Sequence, residues 1–393
     1  MSDKPRNYYC NYKFRFLKID LSSDTVYNCH AATPHNIDCE SNNSLFNDDI
    51  NVAERTMMLN NGRNVSCEQN CWVAEDKGAE SPRIWQGGEV KTHTDIFTTP
   101  EKIDLTISKD CNLMCTYCCK EFSSTWFNDI KKNGEYTYSN ASMDLINRNS
   151  ITSRELNISK VKQNEIKSNE NYQYVMTEVI KISHSLDKLI ISGGEPFVNN
   201  GLFEILDNIK MSLSSKIIIY TGLGVSMHRF KRYVDKIKKI NGNVTIRISA
   251  ENIHDNLEFN RSGLKWADFD GKINYLKEHN VHFDFNTTLS NLSIFGFSDF
   301  YKLFGNYDIR TTLVYTPSMM AIYVLDQESK NRIVDDAKEL PTDIQRMIVS
   351  SIHPTPTNAQ RIQIKEFLLE FTKRNPKLSL GIFPSSFLKW IGI

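Results

Sequence analysis

From about residue 100 the chain repeats one pattern: a short apolar run of strand length, then a longer stretch whose apolar residues recur every three or four positions. The runs are Ile103-Asp104-Leu105-Thr106-Ile107, Lys188-Leu189-Ile190-Ile191-Ser192, Lys216-Ile217-Ile218-Ile219-Tyr220, Val244-Thr245-Ile246-Arg247-Ile248-Ser249, His282-Phe283-Asp284-Phe285-Asn286 and Thr311-Thr312-Leu313-Val314-Tyr315. Between them, Phe203, Ile205, Leu206 and Ile209, and Phe230, Tyr233, Val234 and Ile237, are spaced as helix faces. Strands alternating with helices predict a parallel sheet covered by helices. Six right-handed β/α units give an α/β fold, a partial (β/α)6 TIM-type barrel over residues 96–317, with ligands expected at the carboxyl ends of its strands.

The flanks are patterned differently. Residues 1–95 read as a separate module: Phe14-Arg15-Phe16-Leu17-Lys18-Ile19 alternates, Leu21-Ser22-Ser23-Asp24 supplies a turn, and Thr25-Val26-Tyr27 returns, so Cys10 and Cys29 lie at the open end of a hairpin. A helix follows through Ile50, Ala53, Met57 and Leu59, capped by Asn47-Asp48 and stopped at Asn61-Gly62, before Cys67 and Cys71. Residues 318–393 read as a helical extension on the periods of Ile333, Val334 and Ala337, of Ile344, Met347 and Ile348, and of Ile362, Ile364, Phe367, Leu368 and Phe371. Its apolar stripes are expected to pack over the open side of the barrel. The polar stretch from Ser123 to about Gln173 reads as an inserted loop with at most a short helix around Met143, Leu145 and Ile146.

Charge narrows the function classes. The 47 basic and 47 acidic side chains balance, so no general affinity for nucleic acid or an anionic membrane is expected, though a local basic patch is not excluded. No apolar run approaches a membrane span, and Met1-Ser2-Asp3-Lys4-Pro5 lacks the apolar core of a secretion signal, so a cytoplasmic protein is expected. The nine cysteines are clustered in a large chain, which favours metal ligation over disulfides.

Three of them crowd one turn after the first run, in Cys111-Asn112-Leu113-Met114-Cys115-Thr116-Tyr117-Cys118. Three thiolates from one loop leave one iron of a cuboidal cluster without a protein ligand. The alternatives are three buried thiols in a core and a zinc site closed by Cys119; adjacent Cys118 and Cys119 rarely both reach one small ion. The spacing Cys-x-x-x-Cys-x-x-Cys, with Tyr117 before the last cysteine, resembles the radical S-adenosylmethionine (SAM) enzymes. That resemblance implies a 4Fe-4S cluster on Cys111, Cys115 and Cys118 whose open iron chelates SAM and cleaves it to a 5′-deoxyadenosyl radical. It also implies an electron donor such as flavodoxin or ferredoxin. Gly193-Gly194-Glu195-Pro196, at the end of the second run, looks like the family's motif for the SAM amino group, with Glu195 accepting from a cation. By the same resemblance Ser249 is a SAM contact. Glu251 and Arg261 are candidate SAM, substrate or catalytic residues, with a surface ion pair as the ordinary alternative.

The amino-terminal cysteines Cys10, Cys29, Cys67 and Cys71 resemble the twitch and SPASM auxiliary-cluster domains, which implies a second 4Fe-4S cluster in an electron-transfer or structural role. The module here precedes the barrel, whereas in most relatives it follows, and its last pair is spaced Cys-x-x-x-Cys. A four-cysteine zinc knuckle stays open as the alternative. Cys39 is unassigned, and His30 or His35 could replace a cysteine ligand. The substrate is expected to be a small molecule or a sugar or nucleotide derivative, with a peptide-modifying maturase as the alternative. The rival of another class is a non-enzymatic iron–sulfur or zinc protein.

Overall fold

A computed structural model of the chain describes residues 7–40, 43–86, 88, 90–139, 165–240 and 242–393. One nine-stranded sheet organises them. Its strands are β1 (Phe16–Asp20), β2 (Thr25–Tyr27), β3 (His35–Asn36), β4 (Lys102–Thr106), β6 (Lys188–Ser192), β7 (Lys216–Thr221), β8 (Asn243–Ser249), β10 (Phe283–Leu289) and β11 (Ile309–Leu313). Two short strands, β5 (Met114–Cys115) and β9 (Arg261–Ser262), pair separately. The order is β11-β10-β8-β7-β6-β4-β1-β2-β3, and β4, β6, β7, β8, β10 and β11 are parallel neighbours in chain order. The six apolar runs are these six strands, the last beginning at Ile309, two residues before the expected Thr311.

Alternation along each strand gives the sheet two unlike faces. Ile103 and Leu105, Leu189 and Ile191, Ile217 and Ile219, Ile246 and Ile248, and Phe283 and Phe285 belong to the apolar core. The expected helices pack in that core: Gly201–Asn208 buries Leu202, Ile205 and Leu206, and Met227–Ile237 buries Phe230, Tyr233, Val234 and Ile237. The alternate positions are mostly polar: Lys102 and Asp104, Lys188 and Ser192, Lys216 and Tyr220, Arg247 and Ser249, and Asp284 and Asn286, with Ile190 and Ile218 apolar among them. Burying charge on a central strand is costly without a partner, so that face signals a site.

The hairpin joins this same sheet. β1 runs parallel to β4 in the register Leu17↔Ile103 and Lys18↔Asp104, and Leu17 and Ile19 continue the apolar face. Across that register Lys18 Nζ meets Asp104 Oδ1 at 2.8 Å and donates to Thr106 Oγ1 at 2.6 Å, fixing the seam with a nearly dry ion pair. One sheet therefore crosses the boundary expected at residue 95. The helix after it is Asp49–Leu59, with Asp48 accepting from the Asn51 N–H as its cap and Asn61 left-handed just past its end (φ 56°).

The region expected to be a loop up to Gln173 becomes helical earlier, in Glu165–Ile182, because Tyr172, Val175, Met176 and Val179 make a helix face, the last three buried. The helix expected around Met143, Leu145 and Ile146 lies outside the described residues. In the carboxy-terminal part, helices Gln327–Ala337, Thr342–Ser351, Asn358–Arg374 and Ser385–Ile391 carry the expected periods. Phe371 stacks on Trp126 of helix Ser124–Asn133 (5.9 Å) and lies against Phe259 (5.8 Å), so this part packs beside the cysteine loop.

Candidate active site and a second cysteine cluster

The segment from Ile107 to Cys118 leaves the carboxyl end of β4 and is pinned on three sides. On the first, the Gly194 N–H donates to Ser108 O (2.9 Å) and the Glu195 N–H to Asp110 O (2.7 Å). A Cβ on Gly193 would stand 2.5 Å from Ser108 O, and one on Gly194 would stand 2.5 Å from Asp110 O. Gly193 also sits at φ +140°, which favours glycine. The glycines expected to let backbone approach a ligand thus let the strand end approach the cysteine loop. On the second side, Ser124 Oγ and Thr125 Oγ1 donate to Cys111 O, Ser123 Oγ to Leu113 O and Trp126 Nε1 to Cys115 O. On the third, Met114 and Cys115 pair antiparallel with Ser262 and Arg261.

Cys111, Cys115 and Cys118 share the wall of one cavity of about 590 Å³ with Tyr117, Gly193, Gly194, Glu195, Ser249 and Arg261. Cys119 is absent from that wall; its carbonyl accepts from the N–H groups of Phe122 and Ser123. Burial pushes the Cys115 thiol up to about 12, against the opposing pull of the Arg261 charge, and raises Cys111 and Cys118 too. Such thiols bind metal only by releasing their protons.

Glu195 departs from the role expected of it. Its Oε1 accepts from Thr221 Oγ1 (2.6 Å) and the Phe197 N–H (3.1 Å), and its Oε2 from the N–H groups of Gly222 (2.8 Å) and Gly224 (3.4 Å). A carboxylate has about four such acceptor sites. All are taken by the protein, so Glu195 ties β6 to the turn after β7 rather than waiting for an outside cation. Burial still raises its pKa, these donors opposing.

Glu251 and Arg261 form no surface pair. Arg261 Nη2 meets Glu251 Oε2 at 2.7 Å with both side chains buried, and the guanidinium lies 5.6 Å from the Tyr117 ring centroid, its Nη1 3.8 Å from Cys115 Sγ. Tyr117 Oη reaches the same Glu251 oxygen at 3.5 Å. Glu251 Oε1 and Arg261 Nε have no hydrogen-bond partner among the described residues, the Thr288 backbone approaching Glu251 without normal hydrogen-bond geometry. Arg261 is on the cavity wall and Glu251 is behind it. Glu251 is therefore placed to hold Arg261 and Tyr117.

Cys10, Cys29, Cys67 and Cys71 line a second, smaller cavity with Tyr12, Lys13, Trp72 and Arg83. Burial, with Cys29 and Cys67 nearby, drives the Cys10 thiol up to about 12; burial drives Cys67 to about 11, with Lys13 opposing. Lys13 is wholly buried and bonds Glu54 Oε2 (2.5 Å) and Ser66 Oγ (2.8 Å). His30 does not join these thiols: it lies against Phe16 and reaches Asp104 on the first cavity, while His35 meets Asp48 at 2.9 Å. Cys39 is not on the wall of either cavity.

Among the described residues no three His, Cys, Asp or Glu side chains are arranged to hold a metal ion. A cuboidal cluster spreads its thiolates more widely than one ion does, so the relevant observation is which thiols face a common space. On that test the donor chemistry fits: three thiols at one cavity, four at the other. The residues missed in sequence are Lys102, Lys188, Tyr220, Arg247 and Arg310, which also line the first cavity. Their signal was a charged or polar residue within an apolar run, as for Lys188, Tyr220 and Arg247, or just before one, as for Lys102 and Arg310.

No family model and no curated protein matches the chain. Solved structures do. Native anSMEcpe with bound AdoMet is 15% identical at a TM-score of 0.31 over 55% of this chain and 51% of that one, and the complex that also holds a Kp18Cys peptide gives 0.32 over the same shares. The anSMEcpe complex with AdoMet and a Cp18Cys peptide is 12% identical at 0.35, over 72% of this chain and 82% of that one. The chain thus spans about half the length of the first structures it matches, at 51%. anSME is an anaerobic sulfatase-maturating radical SAM enzyme. Identities and scores at this level leave the reading of this chain to its own residues. No described helix is long and apolar enough to cross a membrane.

Proposed function

We propose that the chain is a radical SAM enzyme, with its parallel sheet as the partial barrel, a SAM-binding 4Fe-4S cluster on Cys111, Cys115 and Cys118, and an auxiliary cluster on Cys10, Cys29, Cys67 and Cys71. The observation that carries it is the three-thiol loop facing a cavity large enough for a ligand of SAM's size and a substrate, about 590 Å³. When bound, the cluster and SAM supply a 5′-deoxyadenosyl radical. The chain's own residues position and shield. Gly193 and Gly194 lock the loop to β6, Glu195 braces the neighbouring turn, Tyr117 and Arg261 line the wall beside Cys115, and Ser249 presents a hydroxyl from β8. The buried core under the sheet excludes water from one side of the cavity.

Four thiols saturate the auxiliary site, which suits electron transfer or structure over substrate ligation. A flavodoxin- or ferredoxin-type donor is the partner this chemistry requires. A small-molecule substrate is the principal reading; a peptide substrate is the second, and assay rather than likeness separates them. Anaerobic reconstitution tests the proposal. About eight irons per chain and 5′-deoxyadenosine on adding SAM and dithionite are expected. Zinc without iron, or SAM left uncleaved, would overturn it.

A further inference from the structure

The polar face of the sheet carries more positive charge than the protein answers. Lys102, Lys188, Arg247, Arg261 and Arg310 line the first cavity against two carboxylates, Asp104 and Glu195, in a chain whose total charge balances. Several of these groups are already engaged. Asp104 pairs with Lys18, Glu195 is saturated by hydrogen bonds, Arg247 forms a two-pronged buried pair with Asp284, and Arg261 is held by Glu251. Two cations, Lys102 and Lys188, are left over, and a third, Arg310, is held only by a half-exposed pair. Lys102 and Lys188 have no carboxylate at ion-pair distance among the described residues; Lys102 has only Tyr12 Oη at 3.5 Å and the Tyr12 and Phe16 rings. Arg310 reaches Asp308 at 3.4 Å and lies 4.0 Å from Asp284, which Arg247 already occupies.

Sheet register concentrates this excess. Lys102 stands opposite Lys188, and Lys188 opposite Lys216, on three adjacent parallel strands. Like charges directly opposite each other destabilise a sheet. Lys102 and Lys188 are half-buried on the cavity wall, while Lys216 beside them is exposed. Lys188 feels Lys216, Arg247 and Arg310 as well as its own burial, all of which favour its neutral form. A row of this kind makes physical sense when an anion completes it.

We propose that Lys102, Lys188 and Arg310 form an oxyanion subsite that anchors the carboxylate or phosphate of a substrate at the amino ends of the strands. This deepens, and rests on, the reading of the cavity as a substrate site. Lys188 and Ser192 bracket β6, so the subsite lies about 13 Å along the strand from its carboxyl end at the cysteine loop. An anionic group held there points the rest of a small substrate toward Cys111, Cys115 and Cys118, and fixes it at the far end from the chemistry.

The full chain, reconstituted and without reductant, is titrated calorimetrically at low ionic strength with inorganic pyrophosphate and, separately, with succinate. One site per chain is expected for at least one probe, retained when SAM is added; the tighter probe identifies the phosphate or carboxylate source. Lys188→Gln and Arg310→Gln should each weaken binding by about tenfold or more, since each removes a charge-assisted hydrogen bond, while Lys131→Gln on an exposed helix position should not. Thermal unfolding guards against misfolding. Lys188→Gln without anion should melt no lower than wild type, because it relieves repulsion, and the anion should no longer raise its midpoint. Absence of binding by both probes, equal binding by Lys188→Gln and wild type, or displacement by SAM would overturn the subsite. None of these readouts needs SAM cleavage, so loss of 5′-deoxyadenosine formation would strike the enzymatic reading alone.

Discussion

Replacing Arg261 with methionine tests whether the Glu251–Arg261 pair is the post on which the cysteine loop leans. The charges approach to 2.7 Å with 4% and 0% of their side chains exposed. At an effective dielectric constant near 20 the attraction is about 6 kcal/mol. Desolvation of two ions offsets much of that, so the pair adds little net stability, yet removing one member strands the other at a cost of about 3–5 kcal/mol. Arg261→Met leaves Glu251 buried with only Tyr117 Oη, at 3.5 Å, as a hydrogen-bond partner. The expected result is a lower urea midpoint for the metal-free chain under anaerobic conditions, equivalent to about 3 kcal/mol or more. The double variant Arg261→Met with Glu251→Gln should recover most of the loss, because no buried charge is then unpaired. A cost for Arg261→Met below about 1 kcal/mol, in the range of a solvated pair, or a double variant as unstable as the two single losses added, would refute the reasoning.

Three further substitutions separate the roles assigned to the loops. Cys67→Ser should remove about half the reconstituted iron and leave SAM-dependent spectral changes in place, because only the four-thiol site is broken; iron content equal to wild type would reject that assignment. Cys119→Ser should change neither iron content nor 5′-deoxyadenosine yield, since Cys119 is not on the cavity wall, and a fall in either would make it a ligand. Gly194→Ala puts a Cβ 2.5 Å from Asp110 O and 2.6 Å from Lys109 O. Backbone must move to relieve it, costing about 1–3 kcal/mol as overpacking does, and iron should be lost preferentially from the three-thiol loop; unchanged iron and stability would show that the two backbones are not in contact.

The apolar runs were legible because Ile, Val, Leu and Phe at alternate positions can satisfy only a strand buried under helices, as Ile217 and Ile219 do. The three-thiol loop was legible because its ligands are adjacent in sequence. What escaped was long-range. Nothing local to Phe16–Asp20 shows that it pairs with Lys102–Thr106 across more than eighty residues; that seam depends on Lys18 meeting Asp104, a partner known only once the chain has folded. Glu195 shows the same limit: its neighbours in sequence suggested a ligand contact, while its actual donors Thr221, Gly222 and Gly224 come from the next strand and turn. The charges on the polar face are a different case, since Lys102 stands just before an apolar run, Lys188 and Lys216 open theirs, and each reads singly as a solvated strand end. Only register turns them into one row. The same two-residue alternation therefore builds both the dry side that holds the helices and the charged side that lines the cavity. A change that shifts one strand by a single residue would exchange those faces and abolish core and cavity together.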